Sequence, residues 1–290
     1  MQLSLLSIVK GFTHSKMIVS LRDIFESLRI PLIIFSLLIL VGCSEYSKVL
    51  KSSDIEYKYT KAQEYYEKGQ YSKALSLFDE LGTLFRGSAR SEEVQFYIAN
   101  CHYELKDYYF ANYYYKNFAR TYPASPRSEI AQFKSAYCSY LNSPKSSLDQ
   151  TETDQAIDEF QLFLNRYPNT ELRDSTNNMI DELRLKLEKK AFDNAKLYYL
   201  TENYKSATVA LKNMLRDFPD SPHREEIEFL IVKSSYLYAI NSIDSRKEER
   251  LNQTIENYHK FVDAHQDSKY MKNAESYYAD AIRELDKMKF

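Results

Sequence analysis

From about residue 54 onward apolar side chains recur at helical spacing, and one arrangement of them returns along the chain. Ala111, Tyr115 and Phe118 stand at i, i+4 and i+7, so they share one face of an α-helix, a small residue followed by two bulky ones. Tyr122-Pro123 then ends the helix, because proline has no N–H to donate and its ring clashes with the preceding turn. Ser125 is placed to cap the next helix, with Pro126 at its tolerated first position. The same offsets return at Ala156, Phe160, Phe163 and Pro168, and again at Ala207, Leu211, Met214 and Pro219. Ala74, Phe78, Leu81 and Arg86 keep them without the proline, and Thr254, Tyr258, Phe261 and Gln266 keep them more loosely.

Each of these helices has an earlier partner. Ala62, Ala99 and Ala195 precede Ala74, Ala111 and Ala207 by a constant interval, and Gly69-x-Tyr71-x-x-Ala74-x-x-x-Phe78 resembles the tetratricopeptide signature. The expected fold is therefore all-α, a tetratricopeptide-repeat solenoid of five helix pairs plus a C-terminal capping helix. Predicted helices cover 56–68, 71–84, 91–105, 107–121 and 127–141, with another starting near Thr153. Residues 170–200 contain neither glycine nor proline and predict one long helix, or two with a kink near Glu188. Polar breakers at 142–147 and a charged stretch at 241–250 predict loops, and Ser268 is expected to cap a last helix over 269–287.

Composition changes this picture little. Five glycines and seven prolines in 290 residues suit a nearly all-helical chain, while 26 tyrosines and no tryptophan are unusual. Tyrosine joins an apolar ring to a polar tip, which fits both helix seams and binding surfaces. A formal net charge of −2 leaves no clustered excess of lysine and arginine for phosphate, so no nucleic-acid partner is expected. Cys101 and Cys138 fall at equivalent positions of successive units, too far apart for a disulfide in stacked helices, and are expected to be buried thiols.

The N-terminal stretch reads as an address. Residues 30–41 are an apolar run too short to cross a bilayer but of the length of a signal-peptide core. Leu40-Val41-Gly42-Cys43 resembles the bacterial lipobox, making 1–42 the signal peptide and Cys43 the site of lipid attachment. The leader is longer than usual, and a start at Met17 would place 1–16 upstream of the coding sequence. Ser44 after the cysteine favours the outer membrane by that resemblance, with 43–53 a polar tether spanning up to about 3.3–3.6 Å per residue when extended.

No enzyme signature appears: there is no Gly-rich phosphate loop, no Gly-x-Ser-x-Gly elbow and no His-Glu-x-x-His. His14, His102, His223, His259 and His265 are scattered, so no catalytic residue, metal site or cofactor is expected. What remains is binding. The tetratricopeptide resemblance implies that first helices line a groove, with Tyr59, Gln63 and Tyr66 in unit one, Phe96, Asn100 and Tyr103 in unit two, and Phe133, Tyr137 and Tyr140 in unit three. Such a stripe suits an extended peptide with aromatic or apolar side chains; the alternative is that half of these rings pack against neighbouring helices.

A lipobox followed by five such units, with Phe85-Arg86-Gly-Ser88, Thr121-Tyr-Pro123-x-Ser-Pro126, Asp149-Gln150-Thr151 and Arg166-Tyr-Pro168, resembles the BamD family, the lipoprotein of the outer-membrane β-barrel assembly machinery. The resemblance implies a non-enzymatic, lipid-anchored scaffold with its body in the periplasm. Residues 54–168 (repeats one to three) would receive aromatic-ended segments of unfolded outer-membrane β-barrel proteins. Residues 169–290 would dock on the periplasmic domains of a BamA-type barrel protein, around 173–190 and 224–249, and the loops at 142–150 and 241–250 are natural contact points because insertions in repeats project from one face. The other reading is a periplasmic tetratricopeptide lipoprotein that scaffolds a different envelope complex, such as one for cell-wall synthesis.

Overall fold

The computed structural model describes residues 45–289; the proposed signal sequence, lipobox, Cys43 and Met17 lie outside them. Every regular element among the described residues is helical. The chain divides into two compact units, Met1–Asp107 and Tyr108–Phe290.

The first unit holds α1 (residues 45–51), α2 (Ile55–Glu67), α3 (Tyr71–Leu84) and α4 (Ser91–Glu104). α2 starts where the Asp54 carboxylate accepts the Tyr57 N–H at 3.1 Å, a side-chain cap for one orphan donor. It stops at Gly69, whose φ of +71° is the left-handed conformation that only glycine adopts without cost. Ala62, Ala74, Phe78, Leu81 and Ala99 are fully buried, as their spacing predicts, and so is Val94. Gly82 lets α3 and α4 come close, since a Cβ there would sit 3.3 Å from Ile98 Cδ1. The stretch expected as an extended tether is helical at 45–51: Val49 is fully buried, Tyr46 meets Tyr65 edge-on at 5.6 Å, and the Lys73 ammonium lies against both rings. Tyr46 and Val49 share a face one turn apart, and that pair outweighs the polar residues around it.

The second unit comprises α5 (Tyr108–Thr121), α6 (Ser128–Asn142), α7 (Thr151–Arg166), α8 (Arg173–Leu200), α9 (Tyr204–Asp217), α10 (Arg224–Ile240), α11 (Asp244–Ala264) and α12 (Met271–Lys287). Ala136, Ala156, Phe160, Ile180 and Leu183 form one core across α6, α7 and α8. Phe192, Leu211, Met214, Ile227 and Ile231 form the next across α8, α9 and α10. Burying each large side chain contributes about 1.5–3 kcal/mol. α12 closes this unit, with Ala274 beside Phe229 and Phe261 and Ala281 beside Ala239 and Leu251. The first of these cores runs across residue 168, so the functional division drawn there in the sequence is not a packing boundary.

Of the two readings of residues 170–200, the single long helix holds: α8 is continuous from Arg173 to Leu200, and the Glu188 carboxylate is buried and held by the Ser221 hydroxyl at 2.5 Å. Two expectations are corrected. The charged stretch 241–250 is helical from Asp244, because its Arg and Glu are good helix formers and pair one turn apart, as Arg246 and Glu249 do at 3.0 Å. Ser125 and Ser268 hold the turn before the helix rather than its first turn. Their hydroxyls accept from the N–H of Arg127 and Tyr270, both at 3.0 Å. Ser88, Thr170 and Ser221 do the same for Arg90, Leu172 and His223. A hydroxyl at one register thus builds all five inter-repeat turns, with or without the proline two residues before.

Candidate functional site

In the first unit α2 brings Tyr59, Gln63 and Tyr66 to one face, and α4 carries Phe96, Asn100 and Tyr103. Gln63 Nε2 donates to Tyr59 Oη at 3.1 Å and to Tyr97 Oη at 3.4 Å, linking the two helices. Tyr66 meets Tyr97 at 5.1 Å and Tyr71 at 5.3 Å. Tyr59 is buried, edge-on to Phe78 and Phe85, with the Arg90 guanidinium 4.8 Å over its ring. Arg90 in turn pairs with Glu56. Asn100 is also buried, whereas Gln63, Tyr66, Phe96 and Tyr103 are half-buried. Tyr59 and Asn100 therefore serve as wall rather than open surface.

In the second unit Phe133, Tyr137 and Tyr140 form a stacked ladder along α6. Phe133 and Tyr137 lie 5.9 Å apart and 11° from parallel, Tyr137 and Tyr140 5.7 Å apart and 14° from parallel. One edge rests on the α7 core, with Phe133 5.5 Å from Phe163 and Tyr140 6.3 Å from Phe160. All three remain half-buried. The Tyr140 hydroxyl donates to Glu182 of α8 at 2.5 Å.

The phenols of Tyr59, Tyr66 and Tyr140 hold their protons more tightly than an ordinary tyrosine. Burial pushes Tyr66 up to about 12. The hydrogen bond to Glu182, with burial second, does the same for Tyr140. Tyr59 is raised further by burial and by its bond to Glu93. A face of protonated phenols and rings can hold apolar and aromatic side chains and hydrogen-bond a peptide backbone.

Spacing alone missed Tyr97, Glu93 and Glu182. Tyr97 follows Phe96 directly, and its position one residue off the groove register assigned it elsewhere. Nor did spacing separate Tyr109 and Tyr113, which are 71 % and 56 % exposed on α5, from the tyrosines that fill seams.

The regions proposed for docking are tied together inside the second unit. Lys186 Nζ donates to Ser143 Oγ at 2.6 Å and Lys190 Nζ to the Leu148 carbonyl at 2.7 Å, so α8 holds the 142–150 loop. Gln150 is buried and donates to the carbonyls of Lys145, Leu148 and Asp149, while its own Oε1 accepts from Thr153. Asp149 accepts the Thr151 N–H at 2.9 Å. The Asp149-Gln150-Thr151 motif thus fixes the loop and starts α7. In the 224–249 region Arg224 pairs with Glu228 at 3.0 Å, and Lys196 reaches Glu226 at 2.9 Å. Cys101 and Cys138 are buried free thiols. No helix among the described residues is long and apolar enough to cross a membrane.

A family model described as YfiO, outer membrane lipoprotein, matches residues 52–198. The chain is 22% identical over 228 residues to the outer membrane protein assembly factor BamD of Caulobacter vibrioides, covering 77% of this chain and 75% of that protein. It is 20% identical over 203 residues to the BamD of Haemophilus influenzae, covering 67% and 78%. Among solved structures, the TPR2AB domain of yeast Sti1 in a pHSP90 complex aligns with TM-score 0.37 at 11% identity, over 78% of this chain and 98% of that one. A tetratricopeptide protein of Thermus thermophilus aligns with TM-score 0.32 at 16% identity, over 79% and 99%. At these scores neither structure bears on the fold.

Proposed function

This chain belongs to the YfiO family of outer membrane lipoproteins, and we propose that it works as a non-catalytic scaffold in the assembly of β-barrel proteins into the outer membrane. The assembly role is the one named for its relatives in Caulobacter vibrioides and Haemophilus influenzae. In this reading Cys43 is lipid-modified and anchors the chain in the outer membrane with its body in the periplasm. More than one acyl chain gives stable anchoring, at about 0.8 kcal/mol per buried CH₂.

Two kinds of protein partner follow. Aromatic-ended segments of unfolded barrel proteins bind on Gln63, Tyr66, Phe96 and Tyr103, with Tyr59 and Asn100 as the wall behind them, and on Phe133, Tyr137 and Tyr140. The periplasmic domains of a BamA-type barrel protein dock on the C-terminal helices, around 173–190 and 224–249. No nucleic acid, metal or cofactor enters the reading.

The observation that carries the substrate half is the ladder of Phe133, Tyr137 and Tyr140, whose parallel, half-buried rings offer stacking faces at nearly even spacing. The test is fluorescence polarisation of the full chain with a labelled peptide copied from the last strand of a barrel protein, ending in phenylalanine, against the same peptide ending in alanine. The phenylalanine form should bind at least tenfold tighter, and Tyr137→Ala should remove most of that difference without lowering helicity. Equal binding of the two peptides would refute the assignment.

A further inference from the structure

The chain leaves almost no slack between Cys43 and its first helix. Cys43 and Glu45, where α1 begins, are two residues apart, a reach of roughly 7 Å even for an extended backbone. α1 in turn is packed, not free. Val49 is fully buried, and Tyr46, one turn before it, meets Tyr65 of α2 edge-on at 5.6 Å. Glu45 accepts from Lys61 of α2 at 3.4 Å, and the Lys73 ammonium of α3 lies 5.7 Å from the Tyr46 ring centre. The join to α2 is closed as well: the Ser52 N–H donates to the Val49 carbonyl and the Asp54 N–H to the Ser52 hydroxyl, both at 3.1 Å. These contacts fix α1 against α2 and α3.

The face that α1 turns away from this packing carries charge of one sign. With Tyr46 and Val49 inward, the helical period puts Lys48 and Lys51 on the opposite side, one turn apart, and both are exposed. Neither pairs with a carboxylate among the described residues. The acidic residues nearest to them in sequence are engaged elsewhere, Glu45 by Lys61 and Asp54 by the Tyr57 N–H.

Resting on the same reading of Cys43 as the lipid-attachment site, we propose that the face of α1 carrying Lys48 and Lys51 lies on anionic phospholipid headgroups. This is a second membrane contact beside the acyl chains, and it holds the first unit against the bilayer surface instead of letting it stand off on a tether. Two lysines are too few to bring a free protein to a membrane. Here the anchor has already brought them, so their contact is intramolecular and benefits from a high effective concentration. The start of α1 falls within about 8 Å of Cys43, the Debye length of physiological salt, over which an anionic leaflet attracts lysine. Each ammonium donates to phosphate oxygens while its methylene stem lies along the interface. An acidic protein fits this face less well, since a helix two residues from an acylated cysteine has lipid beside it before any partner arrives.

The test uses the mature, lipidated full chain on vesicles of phosphatidylcholine with or without phosphatidylglycerol, recovered by flotation and treated briefly with an amine-acetylating reagent. Mass spectrometry then reads each lysine. On the anionic vesicles Lys48 and Lys51 should react at least fivefold more slowly than on phosphatidylcholine alone, while Lys272 of α12 changes less than twofold. Lys48→Gln combined with Lys51→Gln should speed transfer of the chain between anionic vesicles at least fivefold and leave transfer between neutral ones unchanged. Helicity should stay the same, because both side chains are exposed. Chains that float while Lys48 and Lys51 react equally on both kinds of vesicle would overturn the proposal and leave the anchor standing. Chains that do not float would overturn the anchor, and the proposal with it.

Discussion

Tyr97 of α4 lies flat on Phe78 of α3, ring centres 4.7 Å apart and planes 3° from parallel. The stack joins the second helix of one repeat to the first helix of the next. It also holds the Tyr97 hydroxyl where Gln63 of α2 reaches it. A ring that spacing placed off the groove register is therefore what sets α2, α3 and α4 against one another in the first unit. Tyr97→Ala should cost about 2–3 kcal/mol, less than the full loss of a buried aromatic because the ring is half-exposed. Tyr97→Phe should cost under about 1 kcal/mol, since only the Gln63 bond goes. Urea unfolding of both variants checks the order.

Two helix-ending turns are strained where a third is not. Gly69, Lys106 and Glu202 occupy one register, with φ of +71°, +62° and +60°. Each N–H returns to a carbonyl three residues back, Tyr66, Tyr103 and Tyr199. A side chain in this conformation costs roughly 1–2 kcal/mol, part of which glycine gives back as unfolded-chain entropy. Glu202→Gly should therefore stabilise the chain by about 0.5–1 kcal/mol, read as a higher urea midpoint at unchanged slope. Gly69→Ala should do the reverse.

Ser221 serves two structures with one hydroxyl, accepting the His223 N–H at 3.1 Å and donating to the buried Glu188 at 2.5 Å. Removing it leaves a buried carboxylate short of a donor, for which the expected cost is about 1–3 kcal/mol. Ser125→Ala gives up the exposed turn bond to Arg127 and should cost less. Thermal melting of the two variants side by side separates a turn effect from the buried pair.

Burial pushes the thiols of Cys101 and Cys138 up to about 12. A raised acid holds its proton longer in the folded state than in the unfolded one. Its contribution to stability is thus complete below the unfolded value, about 8.5, and is lost as pH rises from there toward 12. Tyr66 and Tyr140 add a second loss that begins near 10, the ordinary tyrosine value. Melting temperature should fall above pH 8.5, and replacing both cysteines by alanine should delay the fall until about pH 10. An unchanged profile in the double variant would show that the thiols are not shielded.

The helix pairs were legible in the sequence because a small residue followed by two bulky ones at helical spacing leaves few other solutions. Ala74, Ala111, Ala156 and Ala207 are all fully buried. The hydroxyls at Ser88, Ser125, Thr170, Ser221 and Ser268 were equally periodic, yet a hydroxyl has many uses, and only Ser125 and Ser268 stood out as caps. The groove was half legible. Helical periodicity places Tyr59 and Asn100 on the right face, but a face is shared between groove and neighbouring helix, and both fall on the buried side. The run from Asp244 to Arg250 was misread because a charged stretch is helix or loop according to whether its charges pair one turn apart. The short helix at 45–51 was missed because its inward pair, Tyr46 and Val49, makes too short a pattern to recognise.

The assembly role itself is tested by controlled depletion of the chain, followed by quantifying folded β-barrel proteins in isolated outer membranes by their altered migration on unheated gels. The account predicts that folded barrels fall severalfold as the chain disappears, and that the wild-type chain restores them while Cys43→Ala does not. Undiminished barrel levels in depleted cells, with a defect confined to the cell wall, would contradict it.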